Sequence, residues 1–338
     1  MKNLSLLNKL IYFVNYIFAI LLLFGFVLPY ISPSVFPKLV VFSLTVPVLF
    51  IINILFVLYW LIQLKKQIIL SAMCLLLGIF VSSPFFKISK KVTKSNNEIT
   101  IMNYNVRIFN AYNWLKDKDI PTKIEEFVAS EKPTILCVQE YHTKGENLFD
   151  FKYKHVVKST TARNFGQAIY SNYKIVNKGS LNFKGTSNNA IFIDILKGLD
   201  TLRIYNLHMQ SLGLNPEKEE ITHKNSEKLI NRLSQQFLKQ QKQVAIVLDH
   251  QKKCNYPMIV SGDFNNTAYS WTYKNLKGNM HDSYLKSGDG FGKTFEINKF
   301  PMRIDFIFAD KILQINEHKN YSVKYSDHYP IMARIGLD

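Results

Sequence analysis

Polar residues stand at the ends of several strand-like segments in the C-terminal part of this sequence. Singly, each has an ordinary explanation, because Gly-Asp-Phe-Asn at 262–265 is typical of a turn and a carboxylate after a strand is typical of a helix cap. Together, four acids, two amides and two histidines converge if the strands share one sheet edge. The set comprises Asn105, Glu140, His208, Asp263, Asn265, Asp305, Asp327 and His328.

These residue types favour metal-assisted hydrolysis of a phosphoester. The oxygen atoms of Asn105, Glu140 and Asp327 suit a hard cation, Mg²⁺ or Mn²⁺. His208 and His328 suit proton transfer near neutral pH. A zinc hydrolase is disfavoured because the sequence has neither an HExxH motif nor a cysteine cluster, and P-loop chemistry is disfavoured because GxxxxGK[ST] does not occur. A metal ion would neutralise charge on the phosphate, and a His or Asp would activate water.

The elements that must position these residues are short strands and a few helices. Segments rich in β-branched and aromatic residues predict strands at 99–106, 134–140, 167–171, 190–196, 201–207, 257–261, 304–309 and 331–335. Helices are predicted at 123–130 and at about 216–253, where apolar residues recur at helical spacing. Strands and helices mixed over 240 residues indicate one α+β domain.

The N-terminal part has a different composition. Residues 10–37, 39–64 and 67–86 contain no charged side chain, and about 20 apolar residues suffice to cross a bilayer as a helix. We therefore predict three transmembrane helices near 10–28, 39–62 and 68–86. The alternative is a cleaved signal peptide followed by apolar soluble helices, but no small-residue cleavage site follows the first segment. Without an ionisable group inside a span, the helices are expected to be an anchor rather than a transporter.

The predicted organisation is an anchor at 1–86, a linker at 87–98 and a catalytic domain at 99–338. Lysines are nearly balanced between the two sides of the membrane, and large domains can cross despite their charge. We expect a multi-pass protein of the cell membrane with its N-terminus inside and its catalytic domain extracytoplasmic. The lipid bilayer is the expected partner, together with a phosphorylated substrate, and no obligate protein partner is predicted.

Composition restricts the remaining possibilities. With 47% hydrophobic and 14% aromatic residues, the chain is not a disordered protein. Its three cysteines, at 74, 137 and 254, do not form a disulfide framework. The formal net charge is +17, and residues 99–338 hold 33 basic and 24 acidic residues, a difference of +9. That charge suits a polyanionic substrate and an anionic membrane surface equally well.

The six polar segments, in this order, resemble the endonuclease/exonuclease/phosphatase superfamily, the deoxyribonuclease-type metal-dependent phosphohydrolases. The resemblance covers about 99–337, and its most specific parts are 262–265 and Ser-Asp-His-Tyr-Pro at 326–330. It implies a four-layer α/β sandwich of two packed sheets flanked by helices.

The resemblance also implies a role for each residue of the set. Asn105 and Glu140 would bind the divalent metal, with Asp327 as a further ligand. Asp305 would orient His328. Asp263 and Asn265 would position the attacking water and the phosphate, and His208 would donate to the leaving group or hold a phosphate oxygen.

Two departures bear on the substrate. Arg107 stands where abasic-site endonucleases typically carry an acid, and His208 stands where a tyrosine tends to serve in that branch. Both resemble the deoxyribonuclease and sphingomyelinase branches more, so DNA repair is disfavoured. Two functions stay open: a membrane-anchored phosphodiesterase acting on nucleic acid or a phospholipid headgroup, and a catalytically silent, membrane-tethered module that binds a phosphate ligand or serves as a scaffold. The retention of Glu140, Asp263, Asn265 and His328 favours the enzyme.

Overall fold

The structure is a computed structural model that describes residues 4–88, 92, 95, 97–159, 165–213 and 223–337. The α-helices are α1 Leu6–Gly25, α2 Val46–Ile62, α3 Ile68–Val81, α4 Ile120–Glu131, α5 His223–Gln251, α6 Trp271–Lys277 and α7 Ser283–Ser287. Short 3₁₀ turns occur at Leu28–Tyr30, Val40–Thr45, Arg107–Asn110 and Thr143–Gly145.

The strands all belong to the C-terminal part. They are β1 Glu98–Asn105, β2 Ile135–His142, β3 Tyr153–Lys158, β4 Phe165–Ser171, β5 Lys174–Ser180, β6 Asn189–Lys197, β7 Asp200–His208, β8 Met258–Asp263, β9 His281–Asp282, β10 Phe295–Ile297, β11 Phe300–Met302, β12 Asp305–Ala309, β13 Gln314–Asn320 and β14 Ile331–Gly336.

Two six-stranded sheets form the centre of this domain. The first has the order β13-β14-β1-β2-β4-β3, and the second has the order β5-β6-β7-β8-β12-β9. Each sheet is mixed, with a parallel pair near its middle: β1 with β2 in the first, and β7 with β8 in the second. A parallel pair needs a crossover connection, and α4 and α5 lie in the two crossovers. In each parallel pair the carboxyl ends of the two strands lie at the same edge of the sheet, where functional residues can meet.

Apolar packing holds the sheets and helices together in four layers. The core between the sheets is rich in isoleucine, including Ile101, Ile135, Ile193, Ile204, Ile259 and Ile307. The outer face of the first sheet packs against Ile124 and Val128 of α4. Val244 of α5 and Leu276 of α6 cover the outer face of the second. The predicted α/β sandwich with two packed sheets and flanking helices is thus confirmed.

The strands that the sequence failed to indicate are the four sheet edges and the short strands β10 and β11. β3 and β13 end the first sheet, and β5 and β9 end the second. An edge strand has one neighbour and is partly solvated, so it lacks the apolar composition of a central strand. β5, with the sequence KIVNKGS, shows this most plainly. The predicted helix at 123–130 begins earlier, at Ile120, and the part of the other predicted helix at 216–222 lies outside the described residues.

The prediction of three membrane-spanning helices is wrong in number by the criterion of length. Two segments are long and apolar enough to cross a bilayer, Leu6–Tyr30 with 25 residues and Val40–Ile62 with 23. The third, α3, has 14 residues, or about 21 Å of helix against about 30 Å of hydrocarbon. It ends at Val81, since the Ser82 backbone is already extended and Pro84 disfavours a helical conformation of Ser83.

The helical part packs directly on the sandwich. Phe50 of α2 stacks on Phe85 at a ring separation of 6.2 Å and contacts Tyr269 of the C-terminal domain at 5.8 Å. Ser83 accepts a hydrogen bond from the buried Arg303, and Lys87 pairs with Gly290 through backbone hydrogen bonds. The chain leaving α3 therefore docks on the domain before residues 89–91, which lie outside the described part.

Candidate active site

Three neighbouring strands of the second sheet place polar residues side by side. His208, the last residue of β7, is in register with Asp263, the last residue of β8. Asp263 is also in register with Asp305, the first residue of β12. All three side chains are buried where this edge meets the first sheet.

The first sheet brings Asn105 and Glu140 to the same place. Asn105 ends β1 and lies beside Gln139 of the parallel strand β2. Glu140 follows at a bulge against β4, where a φ of 51° redirects its side chain. The Asn105 amide donates to Asp263 Oδ2 at 3.1 Å and to Glu140 Oε1 at 3.4 Å. One amide therefore joins acids from both sheets.

A histidine–aspartate pair lies beside this cluster. His328 Nδ1 is 3.0 Å from Asp305 Oδ2, and His328 Nε2 is 3.7 Å from Asp263 Oδ2. Burial disfavours the charged imidazole, but the carboxylates of Asp305 and Asp263 outweigh it and raise the pKa of His328 well above its ordinary value. The two carboxylates therefore favour the protonated form of His328, which Asp305 orients with Nε2 on the side of Asp263.

Asp263 and His208 differ from His328, because the pKa of each is shifted toward its uncharged form. Burial, followed by repulsion from Asp305, raises the pKa of Asp263 to about 7, despite the neighbouring His328 cation. Burial, with a further contribution from His328, lowers the pKa of His208 to about 3. His208 Nε2 is 3.8 Å from Asp263 Oδ2, and its Nδ1 accepts or donates no hydrogen bond among the described residues. A neutral imidazole and an acid that titrates near neutral pH thus lie side by side.

Asn265 is held by the turn that follows β8. Its backbone N–H donates to Asp263 Oδ1 at 2.8 Å, and its side-chain amide donates to Asp263 Oδ2 and to the Met209 carbonyl. Its φ of 50° is a conformation that asparagine adopts more readily than most residues. The Gly-Asp-Phe-Asn turn is thus both a turn and a means of fixing Asp263.

Asp327 reaches the site from the loop before β14. Ser326 ties this loop to β1 by donating to the Asn105 carbonyl at 2.8 Å. Asp327 Oδ2 lies 3.3 Å from Arg107 Nε, and the Arg107 guanidinium also stacks on Trp114 at 4.4 Å from the ring centre. Arg107 begins a left-handed turn through Asn110 in which all four residues have a positive φ, so the loop after Asn105 is strained.

The structure thus brings all eight predicted residues together through contacts across the two sheets. Their individual roles remain predictions. A buried polar network lies directly beneath this set, and the sequence analysis assigned it no role. Gln139 donates to Asn103 at 2.8 Å and to Asn206 at 2.6 Å, and Ser261 donates to Asn103 at 3.0 Å.

A simple spacing would have indicated that network. Residues two apart on a strand face the same side, and Asn103, Asn206 and Ser261 each precede a predicted site residue by two positions. Asn103 also donates to Asp305 Oδ1 at 3.3 Å. The network therefore links the site to the interior of the sandwich and holds Asp305 on the side opposite His328.

The donor set fits a divalent cation. Asp263, Asp305 and His328 have ligand atoms within 4.8 Å of one another. Burial and the neighbouring Asp327 raise the pKa of Glu140, so the acids of this site are electrostatically unfavourable together without a positive charge. Two of the predicted metal ligands adjoin this group, since the Asn105 amide donates to both Asp263 and Glu140.

The site opens into a cavity of about 130 Å³. Glu140, Asn265, Asp327 and His328 line its polar side. Its apolar side is formed by Leu44, Leu212, Phe295, Ile297, Met302 and Ile304. The cavity therefore offers a charged surface with proton donors and acceptors next to an apolar wall, which suits a small phosphorylated group.

Known structures share this fold at low sequence identity. Human Nocturnin, as its catalytic domain with bound sulfate, matches with a TM-score of 0.53 and 16% identity over 74% of this chain and 95% of its own. A humanized D. rerio TDP2 matches with a TM-score of 0.52 and 15% identity, over 71% of this chain and 99% of its own. A Bacteroides vulgatus endonuclease/exonuclease/phosphatase matches with a TM-score of 0.54 and 18% identity, over 72% of this chain and 100% of its own.

Sequence comparison gives two family matches and no curated relative. Residues 8–85 match a domain of unknown function, and residues 102–328 match the Endonuclease/Exonuclease/phosphatase family. A comparison with curated proteins finds no match. Since the second match extends over about two thirds of the sequence, the chain belongs to the endonuclease/exonuclease/phosphatase family.

Proposed function

We propose that the protein is a membrane-anchored, divalent-metal-dependent hydrolase of phosphodiester bonds. The observation that carries this proposal is the cluster that Glu140, Asp263 and the Asp305–His328 pair form where the two sheets meet, beside a cavity that Glu140 and His328 line. A scaffold module of the same fold would not need a buried, mutually repelling set of acids beside a cationic histidine. Maintaining such a set lowers stability, and chemistry is the usual reason for doing so.

The residues can divide the work of hydrolysis as follows. Asp263, with a pKa of about 7, can accept the proton of an attacking water, and Asn265 fixes the carboxylate that does so. Cationic His328 can bind a phosphoryl oxygen through Nε2 while Asp305 holds its ring. His208, a neutral imidazole that borders the same carboxylate, can hold a phosphate oxygen through a ring N–H. Asn105, Glu140 and Asp327 would hold Mg²⁺ or Mn²⁺, which supplies charge neutralisation at the phosphate.

The membrane anchor is supported by exposed apolar surface. Only 28% and 44% of the most apolar stretches of Leu6–Tyr30 and Val40–Ile62 are buried within the protein. Side chains such as Leu10, Phe13 and Leu55 are more than half exposed, which a core helix of a soluble protein would not tolerate. Lipid is the environment that would cover them.

The helices also separate the N-terminus from the catalytic domain. Near the start of α1, Asn8 is hydrogen-bonded to Gln63 and Tyr59, which lie at the end of α2. The sandwich packs at the opposite end, near Phe50 and Phe85. The N-terminus and the catalytic domain therefore lie at opposite ends of the helical part, and the proposal places the domain on the extracytoplasmic side.

The proposal is tested by hydrolysis of bis(p-nitrophenyl) phosphate by the full-length protein in detergent, with Mg²⁺ or Mn²⁺ present. We expect His328→Ala to lower the rate by about 10²–10⁴-fold. The matched control is His281→Ala, a partly exposed histidine of β9 outside the cavity, which should keep the wild-type rate. A wild-type protein without activity on this diester, or a His328→Ala variant as fast as the control, would refute the proposal.

A further inference from the structure

The helical part of the chain contributes one wall of the active-site cavity. Leu44, in the turn Val40–Thr45, lines the same space as Glu140, Asp327 and His328. Leu44 also belongs to Val40–Ile62, the second segment that is able to cross a bilayer. The catalytic domain alone would therefore lack part of its substrate cavity.

Packing holds that wall in place. Val40 and Val41 are buried against Leu212, Leu233 and Phe237, which belong to the catalytic domain. The connection before this turn is fixed as well, since Gln241 of α5 donates hydrogen bonds to Ser32 at 2.9 Å and to Ser34 at 3.1 Å. The position of Leu44 is thus determined by contacts that the residues before it in the sequence make with the catalytic domain.

Exposed apolar residues surround the junction between the helices and the domain. Phe42, two residues before Leu44, is 48% exposed. On the domain, Phe291 is 49% exposed and contacts Phe86 of the helical part at 5.0 Å, and Phe86 itself is 54% exposed. Aromatic residues of this kind are favoured at the boundary between hydrocarbon and headgroups. The cavity therefore lies close to headgroup depth.

We propose that the substrate is a phospholipid of the surrounding bilayer, an inference that rests on the proposed phosphodiesterase function. Its phosphate would bind at the polar side of the cavity, and the apolar part next to the phosphate would lie against Leu44 and Leu212. In the reaction, the oxygen of water bonds to phosphorus, the ester P–O bond breaks and the departing alcohol takes up a proton. The products are a phosphomonoester and an alcohol.

The chain offers a matched pair of variants for the test. Leu44 and Leu229 both pack, half-buried, on the same apolar cluster, but only Leu44 of the two lines the cavity. Full-length Leu44→Ser and Leu229→Ser proteins are compared with wild type on two substrates with Mg²⁺. The substrates are vesicles of phosphatidylglycerol and phosphatidylethanolamine, and bis(p-nitrophenyl) phosphate. Thermal denaturation of both variants reports any shared loss of packing.

We expect the wild type to hydrolyse the vesicle lipids. In Leu44→Ser, the ratio of lipid to aryl diester kcat/KM should fall about tenfold, the usual effect of altering an apolar substrate contact. In Leu229→Ser the ratio should stay unchanged. Activity on the aryl diester without activity on either lipid would overturn this inference and leave the proposed function standing. Equal ratios in the two variants, or preferred cleavage of plasmid DNA, would also overturn it, whereas loss of both activities in the wild type would refute the proposed function itself.

Discussion

Replacing Asp305 by asparagine tests whether the buried carboxylate holds His328 as a cation. The substitution keeps the size of the side chain and removes its charge, which lies 3.0 Å from His328 Nδ1. Burial alone would lower the pKa of His328, so its increase depends on Asp305 and, at 3.7 Å, on Asp263.

The sign of the effect on activity follows from these contacts. In the wild type, His328 should stay protonated through neutral pH and lose its proton only well above it. In Asp305→Asn the proton should leave at lower pH, so the alkaline limb of the pH–rate profile should move toward neutrality. The rate at neutral pH should fall by about 10²–10⁴-fold, because a positioned charged group is lost.

The assay is the pH dependence of kcat/KM on bis(p-nitrophenyl) phosphate. Asp310→Asn is the matched control, since Asp310 follows the other end of β12 and accepts a hydrogen bond from the Met258 backbone. The control should keep the wild-type profile even if it is less stable. An Asp305→Asn profile with the same alkaline limb as the wild type would refute the assignment of a charged His328 held by Asp305.

Three further predictions concern the metal, the second histidine and the topology. Glu140→Gln should raise the Mg²⁺ concentration needed for half-maximal rate while leaving circular dichroism unchanged; an unchanged requirement would remove Glu140 from the metal site. His208→Ala should lower kcat by about 10²–10⁴-fold, and a wild-type kcat would exclude it from proton transfer and phosphate binding. Protease added to spheroplasts should digest the domain beyond residue 98, and full protection until the membrane is broken would reverse the proposed orientation.

The positions of the candidate residues could be anticipated because strand ends carry a readable signal. Asn105, His208 and Asp263 end central strands of apolar sequence. In-register pairing of β7 and β8 brings His208 and Asp263 together, and the packing of the first sheet on the second adds Asn105. Edge strands such as β5 gave no such signal, since a partly solvated strand needs no apolar composition.

Other features depend on contacts distant in sequence. The early end of α3 could be expected locally from Pro84, but the docking of Ser83 on Arg303 joins residues 220 positions apart. The entry of Leu44 into the cavity likewise depends on how Val40 and Val41 pack against Leu212 and α5. Hydropathy identifies the N-terminal segments as able to enter a membrane, but it does not indicate which of their side chains face lipid and which face a substrate.

The central claim is that the cavity between the two sheets is a metal-dependent site for phosphodiester hydrolysis. The most direct measurement is the rate of bis(p-nitrophenyl) phosphate hydrolysis by the full-length protein before chelation, in excess chelator, and after Mg²⁺ or Mn²⁺ is restored. The account predicts that activity disappears in chelator and returns with either ion, and that Asp263→Asn stays inactive throughout. Undiminished turnover in excess chelator, or an Asp263→Asn variant that recovers with metal as the wild type does, would contradict it.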